Sequence, residues 1–249
     1  MTLNIEQAKR YSRHVMLPSM DLEGQEKLLA ARVLLLGVGG LGCAVAQYLV
    51  ASGIGHLTLV DDDQVELSNL QRQVLHREKD IGKLKAESAR ESLSVLNSEC
   101  NIKVLTQRLD KSALTKQASE HDLFIDCTDN LQSRNLLNEV SVATKTPLIT
   151  GAAIRLEGQV CSFNPKEDSS PCYACLSRLF GEQELSCMEA GVLAPLVGII
   201  GSMQALEAVK LLSGVGGIRS GTLLHFDAAT SHWREMQIKP FEKCPICSK

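Results

Sequence analysis

Two Cys-x-x-Cys pairs, Cys172/Cys175 and Cys244/Cys247, stand on either side of 68 residues. Any fold of this chain must satisfy that spacing. Each pair can grip one ion from a single tight turn, and four thiolates in two such pairs meet the needs of tetrahedral Zn²⁺. The ion then closes the long loop between the pairs. Disulfides are the competing use of these residues. Against them, the cysteines number nine, an odd count, and the other five (Cys43, Cys100, Cys127, Cys161 and Cys187) are scattered. A thioredoxin-type redox site needs only one such pair. The expectation is a structural zinc site held by four cysteines.

Residues 1–10 carry no apolar run of the kind that precedes a secretory cleavage site, so a cytoplasmic protein is expected. A nucleic-acid zinc ribbon fits poorly with a net charge of −3 and no Lys/Arg stripe, so no nucleic-acid partner is expected. The longest apolar stretch, Val192 to Leu206, is interrupted by Pro195, Gly198, Gly201 and Gln204. Glu207 and Lys210 follow at once, which predicts a buried helix over Pro195–Leu212, placed in the core or at a subunit interface, and no membrane role.

The order of elements is that of a parallel sheet. Short helices are predicted around Arg10–Arg13 and Gly24–Ala31. The apolar run Val33–Leu36 reads as a strand covered on both faces. A helix over Gly42–Ser52 follows, then strand Leu57–Val60, helix Leu84–Leu96 and strand Ile102–Thr106. Strand Leu123–Asp126, helix Asn130–Thr144 and strand Leu148–Thr150 continue the alternation, which argues for a Rossmann-like, mostly parallel, doubly wound sheet. After residue 150 the rhythm changes. Gly158–Phe163, Leu223–Phe226 and Trp233–Ile238 read as strands that continue the sheet antiparallel. The polar stretch Leu176–Ala190 is expected to be a mobile, functional loop. One domain over 1–249 is expected, with N-terminal helices in 1–31, a nucleotide-binding half in 32–150 and an antiparallel, zinc-binding half in 151–249.

Gly37-Val-Gly39-Gly40-Leu-Gly42 lies between the first of these strands and a helix. Glycines there permit positive φ and close approach to a nucleotide, whose phosphates favour a helix N-terminus. Asp61 ends the next strand and is placed to accept ribose hydroxyls. This much would serve an NAD-dependent oxidoreductase. The polar sequence beyond it points elsewhere: Asp61-Asp62-Asp63, then Ser68-Asn69-Leu70-Gln71-Arg72-Gln73, then Lys85, then Asp126-Cys-Thr-Asp129-Asn130. Hydride transfer needs no convergence of Arg, Lys and carboxylate on phosphates, whereas displacement at phosphorus does. Taken singly, Arg72 and Lys85 would be solvated surface charges, and Asp129 would cap the helix after it.

These residues, together with Arg10-Tyr-Ser-Arg13, Gly151-Ala-Ala, Glu157-Gly-Gln159 and the cysteine pairs, resemble the ubiquitin-activating superfamily. Among its members the chain is similar to the bacterial enzymes that activate small sulfur-carrier proteins. Gly151–Gln159 and Cys175–Glu182 resemble the molybdopterin branch more than the thiamine branch. The resemblance implies ATP-dependent adenylyltransfer to the C-terminal glycine of a ubiquitin-fold sulfur carrier ending in Gly-Gly, for molybdenum cofactor biosynthesis. The thiamine-pathway carrier is the alternative. It further implies that Gly40 lies against the nucleotide, with Gly37, Gly39 and Gly42 in the same turn. Asp61 would bind ribose, with Asp63, Ser68, Leu70, Gln71 and Asn130 lining the site. Asn69, Arg72 and Lys85 would hold phosphates, and Asp129 would bind Mg²⁺. Arg13 would enter the neighbouring subunit's site, which requires a homodimer. One departure is Leu84 before Lys85, where the family usually places Pro; Lys83 is the fallback for Lys85. Cys187 is expected to be dispensable for adenylate formation, because Glu182, Glu184 and Glu189 surround it with negative charge.

Overall fold

The computed structural model describes residues 3–180 and 190–248. The helices are α1 (Ile5–Arg10), α2 (Ser12–Val15), α3 (Asp21–Ala30), α4 (Gly40–Ser52), α5 (Lys85–Leu96), α6 (Lys111–Ala118), α7 (Leu131–Thr144), α8 (Tyr173–Ser177) and α9 (Ala194–Ser213). The strands are β1 (Arg32–Leu36), β2 (His56–Val60), β3 (Asn101–Leu105), β4 (Leu123–Asp126), β5 (Leu148–Ile154), β6 (Glu157–Phe163), β7 (Thr222–Asp227) and β8 (His232–Gln237). They form one eight-stranded sheet in the order β3-β2-β1-β4-β5-β6-β7-β8. Pairing is parallel from β3 to β5 and antiparallel from β5 to β8. The expected switch from crossover helices to hairpins is therefore the observed one, and it falls at β5.

The two faces have separate cores. Beneath α4, α5 and α9 lie Val33, Leu35, Leu57, Leu59 and Ile125, met by Ile200 of α9, all fully buried. The opposite face packs Leu34, Phe124, Phe163 and Leu223 against α7, α8 and the C-terminal segment. Because β1 is covered on both sides, its run Val33–Leu36 contains no polar residue. Although α9 has the length and apolar character of a membrane-spanning helix, it lies against α4, β5 and β6, and small residues let it approach. A Cβ on Gly201 would sit 2.4 Å from the Leu41 carbonyl oxygen, and one on Gly158 2.4 Å from Ile200.

Several local expectations are corrected. The N-terminal helix is two helices broken at Tyr11, whose ring is buried against Gly53 and whose hydroxyl accepts from Asn97 Nδ2 at 2.9 Å. Helix α6 has no counterpart among the expected elements; Asp110 caps it by accepting from the Ala113 amide at 2.8 Å. The expected loop from Leu176 begins instead within α8, because the first cysteine pair sits on that short helix. Residues 181–189 of that loop, with Cys187, Glu182, Glu184 and Glu189, fall outside the described residues.

Candidate nucleotide and metal sites

The C-terminal ends of the parallel strands bring the glycine turn, Asp61 and the Asp126–Asn130 loop to one edge of the sheet, the usual place for a ligand in such folds. Three of the four glycines are required, for different reasons. Gly37 has φ +86°, and a Cβ on Gly42 would fall 1.9 Å from the Gly37 carbonyl oxygen. A Cβ on Gly40 would meet Val197 of α9 at 2.8 Å. Gly39 differs, since a Cβ there would find only Gln73 Nε2, at 3.7 Å. The open side of the turn is thus at Gly39, while Gly40 contributes the first backbone N–H of α4. That helix has no side-chain cap, and its first intrahelical donor is Cys43, to the Gly39 carbonyl at 2.9 Å. The amides of Gly40, Leu41 and Gly42 consequently precede the ladder, an arrangement that favours an anion.

Asp61 braces this turn. Its carboxylate accepts from the Val38 amide at 2.7 Å and from the Asp63 amide at 2.9 Å. Burial raises its pKa, against the opposing pull of those two amides and of Lys85. Lys85 opens α5 and is only 8 % exposed, and its Nζ reaches Asp63 Oδ2 at 2.8 Å. Lys83 is occupied elsewhere, at 3.1 Å from buried Asp80 and 3.0 Å from exposed Glu91. The geometry therefore places Lys85, not Lys83, beside Asp61 and Asp63. Leu84 supplies the N-cap residue of α5 in extended conformation, so the helix starts here without the family's Pro.

The segment Ser68–Gln73 crosses the same edge as a short 3-10 turn followed by further turns. Asn69 is buried and locks the turn by accepting from the Glu66 amide at 3.1 Å. Arg72 Nη1 donates to the Ser68 carbonyl at 3.1 Å, and Ser68 Oγ donates to Glu66 at 3.2 Å. Leu70 is half-buried and Gln71 exposed. Sequence reasoning did not single out Gln73, which is 3 % exposed beneath Gly39 with a buried Oε1 that has no hydrogen-bond partner. Nor did it single out His76, whose Nε2 lies 3.2 Å from the Val38 carbonyl and whose Nδ1 lies 2.9 Å from Ser88 Oγ.

Asp129 is exposed in the loop after β4. The expected cap is corrected: Asn130, not Asp129, caps α7, accepting from the Ser133 amide at 2.9 Å. The Asp129 carboxylate is thereby spared a structural duty. Arg13 is not brought to this site. It is the exposed residue of α2, with Met16 Sδ 3.9 Å from Nη1, and follows Tyr11, which packs on Gly53 at the C-terminal end of α4. The glycine turn is at the other end of that helix, about 20 Å away for thirteen residues at 1.5 Å each.

On the opposite face of the sheet Cys172, Cys175, Cys244 and Cys247 converge, their sulfur atoms all within 4.8 Å of one another. Cys172–Cys244 and Cys175–Cys247 are separated by 3.7 and 3.5 Å. An ion about 2.3 Å from each of four tetrahedral sulfurs requires edges of about 3.8 Å, which these sulfurs fit. Asn138 of α7 donates to Cys172 Sγ at 3.6 Å, and the Phe241 amide to Cys175 Sγ at 3.4 Å. Such donors orient sulfur ligands. Burial pushes the Cys172 thiol up to about 11.

An uncapped helix N-terminus, a braced carboxylate and a buried lysine share one strand edge, and a four-sulfur cluster lies behind the antiparallel strands: an α/β arrangement suited to an anionic ligand and a metal ion. The family model described as the ThiF family matches residues 11–246, and the chain belongs to that family. It is 49 % identical over 247 residues to the molybdopterin-synthase adenylyltransferase of Escherichia coli, covering 99 % of each chain. The E. coli sulfur carrier protein ThiS adenylyltransferase is 42 % identical over 245 residues, 98 % of this chain and 97 % of that one. In fold the chain matches E. coli MccB crystallised with ATP, with a TM-score of 0.83 at 24 % identity over 96 % of this chain and 74 % of that one.

Proposed function

We propose that this chain is an ATP-dependent adenylyltransferase acting on the ubiquitin-fold small subunit of molybdopterin synthase. The carrier's terminal glycine carboxylate oxygen attacks the α-phosphorus of ATP. The bond to the bridging oxygen breaks, and acyl-adenylate and pyrophosphate are formed. The observation that carries this reading is Lys85: a buried cation held between Asp63 and the face of Asp61, beside a helix N-terminus with unused amides. A hydride-transfer site would have no use for it. In this reading Lys85, Arg72 and Asn69 take the phosphates, Asp61 the ribose, and the open side of Gly39 admits the nucleotide. Asp129 holds Mg²⁺, which offsets charge on the phosphate oxygens. Zinc is the ion that suits four thiolates, and its role is to clip the C-terminal segment to α8.

A homodimer is part of the proposal. Arg13 follows Tyr11, which packs on the C-terminal end of α4, and the glycine turn opens the other end of that helix, about 20 Å long, so any nucleotide it serves belongs to a partner. Tyr48 on α4, with Ile199 and Leu206 on α9, offers an exposed apolar face for that contact. A cytoplasmic setting suits the thiol-rich composition. The test offers purified carriers ending in Gly-Gly, with ATP and Mg²⁺, and measures pyrophosphate release. Release driven by the molybdopterin-synthase subunit is expected. Preference for the thiamine-pathway carrier would reassign the substrate, and NAD binding without any pyrophosphate release would sink the proposal.

A further inference from the structure

Arg134 lies one turn into α7, 8 % exposed, and no step of the reaction calls for it. Its Nη2 donates to the Thr128 carbonyl at 2.5 Å and to the Gly151 carbonyl at 2.9 Å. Its Nε lies 3.8 Å from Asp126 Oδ2. The Asp126 carboxylate in turn accepts from the Thr128 amide at 2.9 Å, the Thr128 hydroxyl at 2.7 Å and the Thr150 hydroxyl at 2.8 Å. From the other side Gln204 of α9, fully buried, donates to the Asp126 carbonyl at 2.8 Å. Every hydrogen bond in this set lands on the residues just before Asp129 or on the strand beside them.

The charge of Arg134 is matched by Asp126 inside the protein, so the guanidinium offers little net field to a phosphate. What it supplies is direction. A single nitrogen, Nη2, donates to carbonyls on two elements while the rigid guanidinium plane keeps Nε beside Asp126, a set orientation that a flexible lysine ammonium does not hold. We infer that Arg134 is a positioning residue: by fixing the Thr128 carbonyl against β5 it sets the path on which the Asp129 carboxylate leaves the loop. The inference rests on the proposed adenylyltransfer, with Asp129 as the Mg²⁺ carboxylate. A side chain that orients a metal ligand commonly changes metal affinity by about 10–100-fold when altered.

The experiment titrates Mg²⁺ against pyrophosphate release for the full-length protein and its Arg134→Lys variant, with carrier and ATP saturating. The variant is expected to keep its circular dichroism and its KM for ATP within about twofold, while the half-maximal Mg²⁺ concentration rises about tenfold or more. A folded Arg134→Lys protein with the wild-type Mg²⁺ midpoint overturns the inference. Should that variant not fold, Arg134→Gln decides, since it keeps a polar amide at the position and removes the guanidinium that holds the two carbonyls. A raised Mg²⁺ midpoint there supports the inference and an unchanged one overturns it. If the wild-type protein itself releases no pyrophosphate, the functional proposal fails separately. Amide exchange across residues 127–131 then settles whether Arg134 holds the loop: faster exchange in Arg134→Lys supports it, and equal exchange overturns it.

Discussion

Lys83 and Lys85 are two residues apart, yet they do different work. Lys83, itself exposed, is held by the buried carboxylate of Asp80 and by surface Glu91, away from Asp61 and Asp63. Lys85 is buried against Asp63. Lys85→Ala is therefore expected to lower the rate of pyrophosphate release about 10²–10³-fold, as loss of one preorganised donor does, while Lys83→Ala stays within a few-fold; equal losses would show the roles misassigned. Three histidines set the response to acid. Burial is the first cause that lowers the pKa of His56, His76 and His121 below the usual value of about 6.5. The unfolded chain then binds protons the folded chain refuses, so their contribution is complete above about pH 6.5 and is lost as pH falls through their lower folded values. Melting temperature should drop between pH 7 and pH 5, and His76→Gln should flatten that slope; an unchanged slope would exclude His76. Much of the candidate site was legible at this scale, because Gly37, Asp61, Arg72 and Lys85 stand in ordered motifs. His76, Gln73 and Arg134 were not, since a buried polar residue reads in sequence like a surface one until its partners are known.

Strands and long helices follow from their apolar runs, and β1, β2 and β4 lie within a residue of where alternation put them. Short elements escaped for a physical reason. The helix α6 buries only Leu114 and Gln117, too little apolar surface to print a period, and its start depends on one capping aspartate. The break between α1 and α2 is set by the tertiary contact of Tyr11 with Gly53 and Asn97, residues distant in sequence. Among the described residues the C-terminal segment has no helix or strand after Gln237, so its attachment relies on Cys244 and Cys247 reaching α8. Under the proposal, Cys244→Ser should lose zinc and melt early in the same preparation, because the affinity of four thiolates for the ion would be folding free energy. Full zinc content with an unchanged melting temperature would remove the clip from the account.

At the scale of the whole molecule the sheet separates two tasks: parallel strands present the nucleotide edge, and antiparallel strands carry the sulfur clip on the opposite face. The position of Arg13 makes the subunit, under the proposal, an incomplete catalyst. Mixing inactive Arg13→Ala with inactive Lys85→Ala should restore about one quarter of wild-type activity, since half of randomly paired two-fold dimers are mixed and each then holds one intact site. No recovery after exchange of subunits would place Arg13 outside the neighbour's site. The seating of α9 adds a relation between assembly and ligand. Its inner side touches the glycine turn through Val197 at Gly40 and through Gly201 at the Leu41 carbonyl, and its outer side exposes Ile199 and Leu206. One rigid rod thus borders both the glycine turn and the proposed neighbour. By thermodynamic reciprocity, whatever factor ATP adds to subunit affinity, the second subunit adds to the affinity for ATP. Dilution would then weaken nucleotide binding before it unfolds anything.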